Sequence, residues 1–210
     1  MSTQVFMIGI VGGSASGKTC LAEALARHFA RCGTYVIPED DYYVDANDVP
    51  GFDPDVFNFD EPAAKDHVLL ATHLGQLRSG HAVEAPLYDF TTHRRRAETV
   101  HRSPVPVVLV EGLHLLDSPA IAAALDLKVF VDAAREVRFA RRLHRDVTER
   151  ARTAESVRYQ FDNIVEPMHA RFVEPQRDKA DLVVKNMGAP DFDRLAEPVI
   201  ARLPGDLRKA

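Results

Sequence analysis

Apolar positions along the chain change period repeatedly. Val5-Phe6-Met7-Ile8-Gly9-Ile10-Val11 is a continuous apolar run, and Leu21, Leu25 and Phe29 then recur at every fourth residue. The first pattern suits a strand covered on both faces and the second one face of a helix. Gly33 is placed to cap that helix, and Tyr35-Val36-Ile37 is a short second strand. From Val44 to Pro62 the pattern is aperiodic and reads as a long ordered loop, a length that is usually functional. Leu70, Leu74 and Leu77 mark a helix closed by Gly80, and residues 81–101 hold β-like pieces that predict a small hairpin. Val105 to Val110 is a second buried strand, Ser118-Pro119 starts a helix, and Leu127 to Val131 is a strand ending at Asp132. After an arginine-rich helix, Val157, Phe161, Ile164, Met168 and Phe172 predict one long amphipathic helix. Leu182-Val183-Val184 reads as the last strand, and Phe192, Leu195 and Val199 as one face of a C-terminal helix. Alternation of this kind predicts an α/β fold, a parallel sheet with helices on both faces.

The turn between the first strand and helix is Gly12-Gly13-Ser14-Ala15-Ser16-Gly17-Lys18-Thr19, which fits the phosphate-loop pattern G-x-x-x-x-G-K-[ST]. Gly12, Gly13 and Gly17 can adopt backbone angles closed to other residues and leave room for peptide N–H groups to wrap an anion. The helix starting near Lys18 points its free N–H groups to the same place. Lys18 adds a point charge at the β/γ-phosphates and the Thr19 hydroxyl a ligand for Mg²⁺. Residues Gly12 to Thr19, with the following Cys20, are therefore the candidate nucleotide-binding stretch of a P-loop NTPase-type sheet.

In open parallel sheets ligands bind at the carboxyl ends of the strands. Asp40, Glu111 and Asp132 each fall there, beside the loop. Phosphoryl transfer needs a metal, cations and a carboxylate to deprotonate the acceptor. Glu111 is the second candidate to serve the metal, and Asp40 the candidate base, with Lys18 as the catalytic cation. On an extended segment Asp40 and Asp41 would point to opposite faces, leaving one of them solvated.

Between Arg135 and Arg152 there are seven arginines against three acids. Charged helical faces are usually only solvated, yet arginine suits bidentate phosphate contact, so residues 135–152 are a candidate lid.

Composition sets outer bounds. The 210 residues suit one domain, with the hairpin as an insertion, and a net charge of −5 argues against a general nucleic-acid binder. No apolar run reaches the length of a membrane span, so the expected location is the cytoplasm, without a membrane partner. Cys20 and Cys32 have no zinc spacing and are expected to be buried reduced thiols.

These residues resemble the uridine/cytidine kinase family, within the wider phosphoribulokinase/uridine kinase group of P-loop kinases. The resemblance covers Ile8 to about Gly188. Asp40 to Tyr43 is similar to the family's D-S-F-Y, and Phe57-Asn58-Phe59-Asp60-Glu61-Pro62 to its N-F-D-x-P loop. Pro86 to Arg94 is similar to P-x-Y-D-F-x-x-H-x-R, Glu111-Gly112 to its E-G strand end, and Val131-Asp132 to F-V-D. Arg141-Arg142, Arg145-Asp146, Glu149-Arg150 and Arg152 resemble R-R-x-x-R-D-x-x-E-R-G-R. Gln160, Pro167-Met168-His169, Phe172, Glu174-Pro175 and Ala180-Asp181 echo its C-terminal half.

The resemblance implies ATP- or GTP-dependent, Mg²⁺-assisted phosphorylation of a pyrimidine nucleoside, by a chain that is often a homotetramer in this family. It implies that Asp40 takes the proton of the 5′-hydroxyl and that Asp60 and Arg142 hold the ribose hydroxyls. Tyr88, Phe90 and His93 would meet the pyrimidine, with Tyr43, Phe59, Arg152 and Gln160 completing the pocket, and Arg145 and Arg150 would close over the triphosphate. Glu39 and Asp41 depart from the usual Gln and Ser, so extra negative charge is expected to raise the pKa of Asp40. Ala151 stands where the family has Gly, which is expected to restrict the lid's hinge. A kinase of another small alcohol, such as a phosphorylated sugar or a different nucleoside, remains the alternative. A nucleotide-driven switch is weakened because the chain has no N-K-x-D guanine-reading motif.

Overall fold

The computed structural model describes residues 5–54, 56–188 and 191–209. Its centre is a five-stranded sheet of β1 (Phe6–Gly12), β2 (Thr34–Pro38), β5 (Val107–Gly112), β6 (Leu127–Asp132) and β7 (Leu182–Lys185), in the order β2-β5-β1-β6-β7. Every pairing in it is parallel. A separate antiparallel hairpin joins β3 (Val83–Asp89) to β4 (Arg94–Arg102), as the sequence predicts.

Helices cover both faces. The alternation along β1 sends Met7 and Val11 to one side, where α2 (His67–Arg78) delivers Leu70, Leu74 and Leu77 and α3 (Pro119–Ala124) delivers Ile121. Ile8 and Ile10 face the other side, against Leu21 and Leu25 of α1 (Lys18–His28) and Val199 of a C-terminal helix, Phe192–Ile200. Strands buried on both faces need apolar residues at every position, which is why β1 and β5 read as unbroken runs.

The arginine-rich helix is α4 (Arg135–Glu149). The predicted long amphipathic helix is continuous but not regular: α5 (Ala154–Gln160) runs into π turns at Phe161–Val165 and His169–Val173 around Glu166–Met168. Pro167 lacks an N–H and Pro175 follows, so the α-type ladder cannot be kept. Each wide turn shifts the inward face. The buried residues are Val157, Phe161, Val165 and Val173, while Ile164, Met168 and Phe172 are only half-buried. Cys20 and Cys32 are also not the buried thiols expected: Cys20 is exposed and Cys32 half-buried, and both are free. Among the described residues no helix is long and apolar enough to cross a membrane.

Candidate active site

The phosphate loop leaves β1 at the middle of the sheet. A Cβ on Gly12 would lie 2.6 Å from Ser16 Oγ and 2.7 Å from the Val131 carbonyl oxygen, so the close approach needs glycine there. Left-handed backbone falls at Gly17 (φ 97°) and, against expectation, at Ala15 (φ 61°) rather than at Gly12 or Gly13. Strain of that kind in a non-glycine residue concentrates at functional sites. Helix α1 starts with no side-chain cap and no acid in its first turn, so its N–H groups are left for an anion. The buried Ser16 hydroxyl likewise has no hydrogen-bond partner among the described residues. Arg141 and Asn186 hold the Ser16 carbonyl from outside at 3.3 and 2.7 Å, and Arg142 donates to the Ser14 hydroxyl at 2.8 Å.

Glu111, at the end of β5, accepts from the Thr19 hydroxyl at 3.1 Å and lies 3.9 Å from Lys18 Nζ. Burial raises its carboxyl above the usual range, with Lys18 pulling the other way. Thr19 and Glu111 are hard oxygen donors of the kind Mg²⁺ takes, the remaining positions falling to phosphate oxygens and water. Among the described residues no group of three or more His, Cys, Asp or Glu side chains could hold a metal without such help.

Asp40 sits beyond β2 on the same rim, but in a 3-10 turn, Glu39–Tyr42, rather than on extended chain. The turn removes the predicted opposition of Asp40 and Asp41. Asp41 is half-buried like Asp40, and burial and the neighbouring Asp40 raise its pKa. Asp40 itself is shifted down, opposite to expectation: burial raises it, but Lys65 and then Lys18 outweigh that. Lys65 belongs to none of the motifs read from the sequence, yet its Nζ donates to Asp40 Oδ1.

Glu39, the other departure, is fully buried. It accepts from the backbone N–H of Leu113 at 2.6 Å and of His114 at 3.2 Å, and pairs with His67 at 2.9 Å. It ties the end of β2 to the chain beyond β5. Burial raises its carboxyl, but the His67 hydrogen bond and the Lys65 charge outweigh this and bring it to about 2, from an ordinary 4.5. A depressed carboxyl adds stability that is complete above pH 4.5 and lost as the pH falls through about 2. Urea unfolding of the wild type should therefore lose on the order of 3 kcal/mol over that window which Glu39→Gln does not lose. Equal pH slopes in the two proteins would show that Glu39 carries no such linkage.

Several aromatic residues that the family resemblance singles out lie close together. Tyr43 lies 5.0 Å from Tyr88, 5.6 Å from Phe59 and 6.4 Å from Phe90 between ring centroids, and Phe59 lies 4.9 Å from His93. Phe52, missed in the sequence, joins them at 5.8 Å from His93. Arg95, on β4, pins the hairpin to this cluster by donating to the Tyr43 carbonyl at 3.0 Å and to Asp66 at 3.2 Å. Asp60 is half-buried nearby, and burial raises its carboxyl while Arg142 pulls it down.

The arginines divide. Arg135 and Arg138 leave the site to pair with Asp162 and Glu166. Arg142, Arg145, Arg150 and Arg152 surround the fully buried carboxylate of Asp146 at 3.5, 2.9, 3.5 and 3.7 Å. Ala151, between the last two, takes the left-handed angle of φ 52° in place of the glycine expected there. Gln160 is attached to Arg152, at 2.7 Å, rather than to the aromatic cluster. Asp132 also lies outside the site, held by Arg177 at 2.7 and 3.1 Å.

A phosphate loop at the central strand of a parallel sheet, with Lys18, Glu111 and Asp40 on one rim, is the build of a P-loop kinase. The chain belongs to the phosphoribulokinase/uridine kinase family, whose model matches residues 7–193. It is 41% identical over 181 residues to a uridine kinase of Clostridium perfringens, covering 86% of this chain and 87% of that protein. It is 39% identical over 208 residues to a uridine kinase of Chloroflexus aurantiacus, covering 99% of each. The fold is similar to that of phosphoribulokinase from Rhodobacter spheroides, with a TM-score of 0.65 at 15% identity over 93% of this chain and 75% of that one.

Proposed function

We propose that this chain transfers the terminal phosphoryl group of ATP to the 5′-hydroxyl of a pyrimidine nucleoside, uridine or cytidine, giving the monophosphate. The observation that carries the reading is Asp40 sharing a rim with Lys18 and Glu111, next to the aromatic cluster of Tyr43, Phe59 and Tyr88. Identity of about 40% to uridine kinases over most of the chain supports the choice of acceptor.

The residues divide the work as phosphoryl transfer requires. Backbone N–H groups from Gly12 to Thr19 cradle the β-phosphate, and Lys18 faces the charge that grows as the terminal phosphoryl leaves. Thr19 and Glu111 would hold Mg²⁺, which when bound would supply charge neutralisation for the phosphates. Asp40 takes the proton of the attacking hydroxyl, and Asp60 and Arg142 hold the ribose hydroxyls as acceptor and donor. Tyr43, Phe59, Tyr88, Phe90 and His93 offer stacking area and base-edge hydrogen bonds to the pyrimidine. Arg145 and Arg150 close on the triphosphate, and Arg152 with Gln160 completes the lid.

Asp146 orders that lid. Four guanidinium groups with one buried counter-charge would repel one another without it. Asp146→Asn is therefore expected to raise the KM for ATP roughly 10- to 100-fold, as for loss of a charged hydrogen-bond partner worth about 1.5–3 kcal/mol. A lower KM would mean that Asp146 competes with phosphate for the arginines.

The reading is tested by ADP release with uridine, cytidine and ribulose 5-phosphate as acceptors. Turnover with either pyrimidine nucleoside and none with the sugar phosphate is expected. Turnover with the sugar phosphate alone would overturn the acceptor, and hydrolysis that needs a protein partner and no small acceptor would overturn the kinase.

A further inference from the structure

Lys65 combines features that a merely structural lysine would not need. Its side chain is 0% exposed, its Nζ donates to Asp40 Oδ1, and the same nitrogen lies 3.2 Å from the centroid of the Tyr43 ring. An isolated antiparallel bridge pairs the backbones of Tyr43 and Lys65, so the main chain fixes where the ammonium stands. Burying an ammonium costs solvation free energy, and replacing a buried ion pair by apolar residues is often neutral or favourable for folding. Stability is thus a weak reason for lysine at this position.

The geometry around Asp40 supplies a better one. Lys65 reaches the carboxylate from the protein side, while the Asp40 side chain is 48% exposed on the other. Oδ2 makes no hydrogen bond among the described residues, so the clamp occupies one oxygen and leaves its twin for the cleft. A base whose orientation is set by a further group behind it is the arrangement that activates nucleophiles in hydrolases. Tyr43, on which the ammonium rests, also stacks in the cluster with Phe59 and Tyr88.

We propose that Lys65 is a positioning residue for the phosphoryl transfer. Holding Oδ1, it turns Oδ2 of Asp40 toward the acceptor hydroxyl and locks that carboxylate to the Tyr43 wall of the acceptor pocket. Oδ2 takes the hydroxyl proton as the new O–P bond forms, the bond from the terminal phosphorus to the bridging oxygen breaks, and ADP leaves with that electron pair. Asp40 then returns its proton to water. This inference rests on the reading of Asp40 as the base.

The test is steady-state kinetics of Lys65→Met and Lys65→Arg with ATP and uridine, or cytidine if it is the better acceptor. Lys65→Met should lower kcat by about 10- to 100-fold, the range of a base left in place but poorly aimed, with the KM for ATP within about twofold of wild type. Lys65→Arg keeps the charge and should retain about tenfold more turnover than Lys65→Met. On an Asp40→Asn background Lys65→Met should add almost nothing, because the two act as one unit. Should Lys65→Met fold poorly, the Lys65→Arg comparison on the two backgrounds carries the same information. A folded Lys65→Met with wild-type kcat, or a loss confined to the KM for ATP, overturns the clamp. If Asp40→Asn itself keeps turnover, the base assignment fails first; if only Lys65→Met does, the base assignment stands and the clamp falls.

Discussion

Asp40→Asn is expected to lower kcat by about 10²- to 10⁴-fold while leaving ATP binding nearly unchanged, as for loss of a positioned base. Asparagine is the informative substitution because it removes the proton-accepting charge while keeping an oxygen that can still accept a hydrogen bond from the buried Lys65. Asp41 is the internal control. No buried cation pairs with it among the described residues, as Lys65 does with Asp40, so Asp41→Asn should leave turnover within about tenfold of wild type. An equal loss from Asp41→Asn would reassign the base.

Lys18→Ala should damage the other half of the reaction. Lys18 is the cation nearest Glu111, at 3.9 Å, and also lowers Asp40, so the donor and acceptor sides both feel its charge. Loss of a preorganised charge facing the leaving phosphates is expected to reduce kcat/KM for ATP by about 10²- to 10³-fold, or ~2.7–4 kcal/mol. Glu111 would then be left buried without its main opposing charge, and its carboxyl would rise further. Titration with ATP in the absence of acceptor separates the two variants: binding persists in Asp40→Asn and weakens in Lys18→Ala. Wild-type behaviour of both would remove the site assignment altogether.

The sheet was legible because its causes are local. Unbroken apolar runs at β1 and β5 and glycine-rich chain after β1 follow from burial on both faces and from anion geometry, and both leave marks in sequence order. The aromatic cluster was legible only through the family resemblance, since nothing in spacing brings Phe59 of one loop to Tyr88 of a hairpin. Lys65 left no mark, because a lone lysine near an Asp reads as a solvated charge until the fold covers it. Asp146 was likewise indistinguishable from a helix-surface acid until four guanidinium groups closed round it. The upward push expected of Glu39 on Asp40 is present but outweighed, because the opposing lysines at positions 18 and 65 come from elsewhere in the chain and no neighbour in sequence reveals them. The inward face after Phe161 slipped because the two π turns break the 3.6-residue period on which the reading relied.

The most direct test of the shared rim is a crystal structure with a pyrimidine nucleoside and a non-hydrolysable ATP analogue bound together. The nucleoside 5′-oxygen is expected within hydrogen-bond reach of Asp40 Oδ2, in line with a terminal phosphate held by the Gly12–Thr19 loop and Lys18. A nucleoside bound with its 5′-oxygen turned away from Asp40, or a terminal phosphate directed to a different carboxylate, would contradict it.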